Sequence, residues 1–147
     1  MKKAVVFYGS MRELEMGSKS WHLLGDDVDY FLVTWDCVNR QHYDKNPVRY
    51  YPFDPSNFPV KVKDSIIVNF KNYVTYLGKL RLPKFSAFYI LYHWSLIKNL
   101  ANIASYETIM ITRTDACFFP RGDEKYVHDA VPGKISINGI LEKQSMN

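Results

Sequence analysis

Ala4-Val5-Val6-Phe7-Tyr8 is an unbroken apolar run that stops at Gly9. A strand with one wet face would alternate; five consecutive apolar residues read as a strand buried on both faces, as in a parallel sheet covered by helices. Parallel neighbours cannot be joined by tight hairpins, so long crossovers must separate them. The next segments supply this. Residues 18–24 form a short helix with Ser18 as N-cap and Gly25 closing it, and Val28 to Trp35, rich in β-branched and aromatic residues, is a second strand ending at Asp36. The opening is therefore β-α-β, and the fold class expected is α/β: a single-domain, open, mostly parallel sheet flanked by helices.

Four prolines (Pro47, Pro52, Pro55, Pro59) mark Cys37 to Pro59 as mainly loop, with a short strand at Arg49 to Phe53. A loop of that length inside a compact domain is usually functional. Residues 61–82 are compatible with either a helix or a pair of short strands. From Phe85 to Ala104, the positions Phe85, Phe88, Tyr92, Leu96, Asn99 or Leu100, and Ile103 share one helical stripe, with Pro83 and Ser86 as start signals. This helix should run antiparallel to a strand at 107–112, which places its N-terminus at the edge where Asp115 lies. Pro132-Gly133 precedes a last strand at Lys134 to Asn138.

Composition narrows the class. At 147 residues, 47% apolar and 23% charged, the chain is an ordinary globular domain. Cys37 and Cys117 provide neither a disulfide framework nor zinc spacing, which suits a reducing compartment. The start, Met-Lys-Lys before a short apolar run, is too brief for a signal peptide, and no run reaches the roughly 20 apolar residues of a membrane span. A cytoplasmic protein is expected.

The net charge of +4 favours an anionic partner. Six basic residues between Lys61 and Lys84 face one acid, Asp64, and with eleven Tyr, nine Phe and three Trp they admit a nucleic-acid-binding module as the alternative reading. A solvated basic face and a tyrosine-rich core explain the same residues more simply.

Three proposed strands end in polar clusters: Gly9-Ser10-Met11-Arg12, Thr34-Trp35-Asp36 and Thr112-Arg113-Thr114-Asp115. In an open parallel sheet, ligands bind beyond the carboxyl ends of the strands, so parallel pairing would gather all three on one rim. Backbone amides freed by Gly9, the Arg12 guanidinium, Lys84 and the start of the long helix near Ser86 would there hold phosphate oxygens. Asp115 would hold a hard divalent cation, Mg²⁺ or Mn²⁺, bridging those oxygens. A surface ion pair between Arg113 and Asp115, and a turn-capping Asp36, are the plainer readings. The histidines show no metal-ligand spacing, and His93 reads as a packed helical residue.

Val5 to Arg12, Val28 to Asp36 and Tyr106 to Asp115, in order, resemble the blocks of small GT-A-type glycosyltransferases of bacterial surface-polysaccharide clusters and large phages. There a Gly-x-x-Arg turn follows the first strand, Thr-Trp-Asp closes the second, and an Arg-x-Asp segment is the counterpart of the Asp-x-Asp motif. The resemblance implies a nucleotide-sugar donor, with UDP-sugar foremost, and transfer or hydrolysis of the sugar. By position, Tyr8, Gly9, Ser10 and Arg12 would line the nucleotide pocket, Asp36 would face base or ribose, and Asp115 would be the metal-linked carboxylate. Arg113 replaces the first acid of the motif, so a guanidinium can take over part of the diphosphate neutralisation. The acceptor-binding half of such enzymes is expected to be missing, and a homodimer or partner chain would complete it.

Overall fold

In the computed structural model, residues 2–11, 14–39, 50–80 and 86–119 are described. Arg12, Lys84 and the strand expected at 134–138 lie outside the described residues. The first strand, β1 (Lys3–Gly9), is followed by a short helix α1 (Leu14–Ser18) and a 3₁₀ turn (Trp21–Leu24), then β2 (Val28–Trp35). The helix expected at 18–24 is thus two pieces. Ser18 ends the first and Ser20 precedes the second, while Gly25 closes it at φ +123°, a backbone region that favours glycine.

The long loop contains a two-stranded antiparallel ribbon of β3 (Cys37–Asn39) and β4 (Tyr50–Pro52), and a 3₁₀ turn at Pro55–Asn57. Of the region 61–82, the described residues 61–80 hold one strand and one helix: β5 (Asp64–Val68) and α2 (Phe70–Lys79), the helix started by Asn69, whose side chain accepts from the Asn72 amide. Helix α3 (Ser86–Ile97) leads through a 3₁₀ turn (Ile103–Ser105) to β6 (Thr108–Arg113).

Four strands form one sheet in the order β5-β2-β1-β6, and all three pairings are parallel. The chain is an α/β structure, as the buried runs require. Ala4, Val6 and Tyr8 of β1 join Phe31 and Val33 of β2 on one face, packed under Ile97, Leu100 and Ile103. Val5, Phe7 and Leu32 fill the other face with Met11, Trp21, Leu24 and Phe58. This alternation between two covered faces is why β1 shows no polar residue from Ala4 to Tyr8.

Tyr89 and Tyr92, early in α3, lie against Trp35 at the carboxyl end of β2, whereas Ile103 packs in the layer that includes Ala4. Helix α3 therefore runs antiparallel to the strands and starts at their carboxyl edge, as expected. Strand order grows outward from β1 through β2 to β5, then jumps back past β1 to β6. The reversal falls between β1 and β6. Among the described residues no helix is long and apolar enough to cross a membrane.

Candidate functional site

Because β1, β2 and β6 are parallel, the polar clusters after residues 8, 35 and 112 sit at one edge of the sheet, and two of them flank the point of strand reversal. In open α/β sheets ligands commonly bind beyond the carboxyl ends of the strands at such a reversal. Gly9 and Ser10 lie at the end of β1 there, and Arg113, Thr114 and Asp115 at the end of the adjacent β6.

The turn after β1 is held from both neighbouring strands. Thr34 Oγ1 of β2 donates to the Gly9 carbonyl at 2.7 Å, and Thr114 Oγ1 donates to the Ser10 carbonyl at 2.6 Å. Both threonines are fully buried, so each bond is shielded from competing water. Fixing the two carbonyls also fixes the peptide planes. In a trans peptide N–H opposes C=O, so the amides of Ser10 and Met11 point away from the threonines that hold the carbonyls. Gly9 stands at φ +102°, and a Cβ built on it would meet nothing within 4 Å. The glycine is required by backbone conformation, and open space lies where a side chain would be, which allows close approach of a ligand to the main chain.

The segment after β6 is seated equally firmly. A Cβ on Gly17 would stand 3.0 Å from the Ala116 carbonyl and 3.2 Å from that of Thr114, so α1 packs its backbone directly on residues 114–116. Trp21 Nε1 donates to the Ala116 carbonyl at 3.3 Å, and the Phe118 amide donates to Ser20 Oγ at 2.8 Å.

On this base Arg113 and Asp115 form a two-point pair. Nε donates to Oδ1 at 2.8 Å and Nη2 to Oδ2 at 2.6 Å. The hydrogen bonds it donates to Asp115 are the main reason the guanidinium pKa is raised, against the opposing effect of its partial burial. Arg113 is opposite Tyr8 in the β1–β6 register, so the two side chains leave the same face of the sheet. The Tyr8 ring is edge-on to that of Trp94 at 5.8 Å. Trp94 remains 45% exposed.

Asp36 occupies a different place. Its Oδ1 accepts from the Phe70 amide at 3.1 Å and its Oδ2 from Asn69 Nδ2 at 3.0 Å, while its own amide donates to the Val68 carbonyl. The carboxylate is built into the start of α2, an arrangement of the capping kind. Ser86 begins α3, which puts it at the same edge. Trp35, Tyr73, Tyr89 and Tyr92 form an aromatic cluster there, with His93 buried inside it. Burial holds the His93 imidazole near a pKa of about 4, and burial followed by the Asp36 charge lifts the Cys37 thiol to about 11, so neither is poised as a base or nucleophile at neutral pH.

The resemblance implies Mn²⁺ or Mg²⁺ at Asp115. Both oxygens of that carboxylate already accept from Arg113, and among the described residues there is no group of three or more His, Cys, Asp or Glu able to hold a metal. As arranged, these residues do not fit a divalent cation, which prefers several oxygen ligands free of a competing guanidinium.

Of the residues singled out from sequence, Tyr8, Gly9, Ser10, Arg113 and Asp115 come together at the strand reversal. Asp36 and Ser86 share the edge but belong to the helix starts. Thr34, Thr114 and Trp94 are additional members. The two threonines lie inside the blocks read from sequence, yet only the paired strands show that their hydroxyls hold β1's turn. The described residues define an α/β fold with a four-stranded parallel sheet whose strand order reverses between β1 and β6. No protein-family model, curated protein or solved structure matches the chain.

Proposed function

We propose that the chain is a minimal glycosyltransferase-type domain that binds a nucleotide-sugar, foremost a UDP-sugar, through its diphosphate at the crevice between β1 and β6. The observation that carries this reading is the strand reversal itself, which sets a glycine turn with open space above it beside a guanidinium. A diphosphate needs close-approaching amides and a fork of cationic donors, and Gly9, Ser10 and Arg113 have that chemistry. Tyr8 backs the site, and Arg12 and Lys84 are the further cations that the sequence offers.

In sugar transfer the bond from the anomeric carbon to the diphosphate oxygen breaks, and its electron pair leaves on the phosphate. The acceptor hydroxyl, or water, forms the new bond, and its proton passes to the departing diphosphate or to solvent. A cation fixed at the leaving oxygens is most effective where that charge develops, so Arg113 lowers the barrier more than it stabilises bound substrate. Asp36 has no part in this step, being committed to α2.

Calorimetric titration of the full chain with a panel of nucleoside diphosphates tests the proposal. UDP is expected to bind best and to change little with moderate salt. Absence of binding by any nucleoside diphosphate would sink it. Binding instead to single-stranded RNA, collapsing between about 50 and 200 mM salt, would favour the nucleic-acid reading of Lys61 to Lys84.

A further inference from the structure

We infer that the crevice takes its diphosphate without a divalent cation, with Asp115 acting as a positioning residue that holds the Arg113 guanidinium as the anion's donor. This deepens the nucleotide-sugar reading above and rests on it. The starting point is the misfit between the carboxylate's geometry and a metal ion. Asp115 offers two oxygens, and Arg113 claims one with Nε and the other with Nη2.

A guanidinium has five N–H donors in one plane. The pair with Asp115 uses one from Nε and one from Nη2, which leaves three on the outer side of the fork. Those three suit the oxygens of a second anion, since planar two-point recognition of phosphate is what distinguishes Arg from Lys. Arg113 keeps 52% of its side chain exposed, while Asp115 is at 24%. The carboxylate is the more covered member and the guanidinium the more accessible one, the arrangement of a support and a donor rather than of a metal ligand.

The surroundings make the support rigid. Asp115 follows Thr114, whose hydroxyl is buried on the Ser10 carbonyl, and precedes Ala116, whose carbonyl is held by Trp21. The Ala116 amide returns to the Arg113 carbonyl at 3.2 Å, closing a turn that brings positions 113 and 115 together. A free Arg would lose several rotors on binding phosphate. Held by Asp115, it has given up much of that freedom beforehand, which favours association. A metal ion taking the same lone pairs of Asp115 would have to displace the guanidinium.

The experiment is UDP and inorganic pyrophosphate titration of the full chain in EDTA and in excess Mn²⁺, on wild type, Asp115→Asn, Arg113→Lys, Arg113→Ala and the double variant Asp115→Asn with Arg113→Ala. Thermal melting confirms that each variant is folded. Wild type is expected to bind equally well in EDTA and Mn²⁺. Arg113→Lys, which keeps the charge but not the fork, should weaken binding about tenfold, and Asp115→Asn severalfold in both buffers.

In the Arg113→Ala background, Asp115→Asn should change binding no further, because a positioning residue acts only through the group it positions. A structural role for Asp115 would persist in that background and overturn the inference. Tightening by Mn²⁺ in wild type that vanishes in Asp115→Asn would overturn it while leaving the nucleotide-sugar reading intact. No binding of UDP in either buffer would remove that reading, and the inference with it.

Discussion

The imidazole of His93 lies against the indole of Trp35, ring centroids 4.2 Å apart, and its Nε2 is buried without a hydrogen-bond partner among the described residues. The residue is 1% exposed. It joins α3 to the carboxyl end of β2 through an apolar contact that depends on the ring being neutral. An unsatisfied nitrogen tolerated in this place costs stability, and a charged one would cost far more.

That relationship makes stability pH-dependent. Burial lowers the folded-state pKa from 6.5 to about 4. Between those values the unfolded chain binds more protons than the folded one, so stability falls as the pH falls. The contribution is fully present above the unfolded value and is lost progressively on acidification toward the folded one. A difference of that size corresponds to roughly 3 kcal/mol. Urea unfolding of wild type and His93→Phe between about pH 7 and pH 4 should show the wild type losing about that much more. Parallel pH profiles would mean that the imidazole already finds a partner or water.

Gly9 and Gly17 should fail as alanines for opposite reasons. At Gly9 the added methyl meets nothing, but φ +102° strains any L residue, a cost of roughly 1–3 kcal/mol. At Gly17 the methyl would stand 3.0 Å from the Ala116 carbonyl, a backbone atom already tied to Trp21, so the segment carrying Asp115 must shift. Both variants should melt below wild type. Gly9→Ala should also weaken UDP more than Gly17→Ala when compared at a temperature where both are folded, because its methyl enters the space proposed for phosphate. Equal UDP affinity for Gly9→Ala and wild type would place the diphosphate elsewhere.

Which parts of this were legible depends on whether the deciding contact is local. Val28 to Trp35 could be read to the residue because its composition and its place between two turns agree. The β5 and α2 region could not: β5 is an edge strand carrying Asp64, Ser65 and an exposed Ile67, so it lacks an unbroken apolar run. The stripe assigned to residues 85–104 continues past the end of α3 at Ile97 because Leu100 and Ile103 pack into the same core from turns, with Asn102 in the left-handed region at φ 57°. Periodicity registers burial there, not helix. At the site, Arg113 and Asp115 were visible through their i, i+2 spacing. The clamps from Thr34 to Gly9 and from Thr114 to Ser10 depend on strand pairing and leave no local pattern.

Trp94 was hidden for a related reason. It falls off the apolar stripe read from sequence, yet its ring edge-on to Tyr8 brings it next to the strand position that faces Arg113. Being 45% exposed, it contributes modestly to the core, and Trp94→Ala should change stability much less than the 3–5 kcal/mol typical of a buried Trp. A base or sugar attached to a phosphate held by Arg113 would come within reach of its open face, and such stacking contributes about 1–3 kcal/mol. Fluorescence titration with UDP-sugar should therefore show quenching of Trp94 in wild type and about tenfold weaker binding, followed by calorimetry, in Trp94→Ala. Unchanged affinity would exclude this ring from the site.

Asp36 separates the structural part of the edge from the chemical part. Its carboxylate accepts from the Phe70 amide and from Asn69 Nδ2, at the start of a ten-residue helix whose N-cap is Asn69. Loss of an anionic partner at a helix start costs about 0.5–2 kcal/mol. Asp36→Ala should lower the melting temperature accordingly, since the Phe70 amide loses its acceptor and α2 its link to β2. UDP affinity should stay at the wild-type value, because no oxygen of this carboxylate is uncommitted to α2. A ribose contact would reverse the pattern: affinity for UDP would fall sharply while affinity for pyrophosphate, which has no ribose, stayed constant. The pair of titrations, read beside the melting curve, decides between a helix cap and a nucleoside ligand at this position.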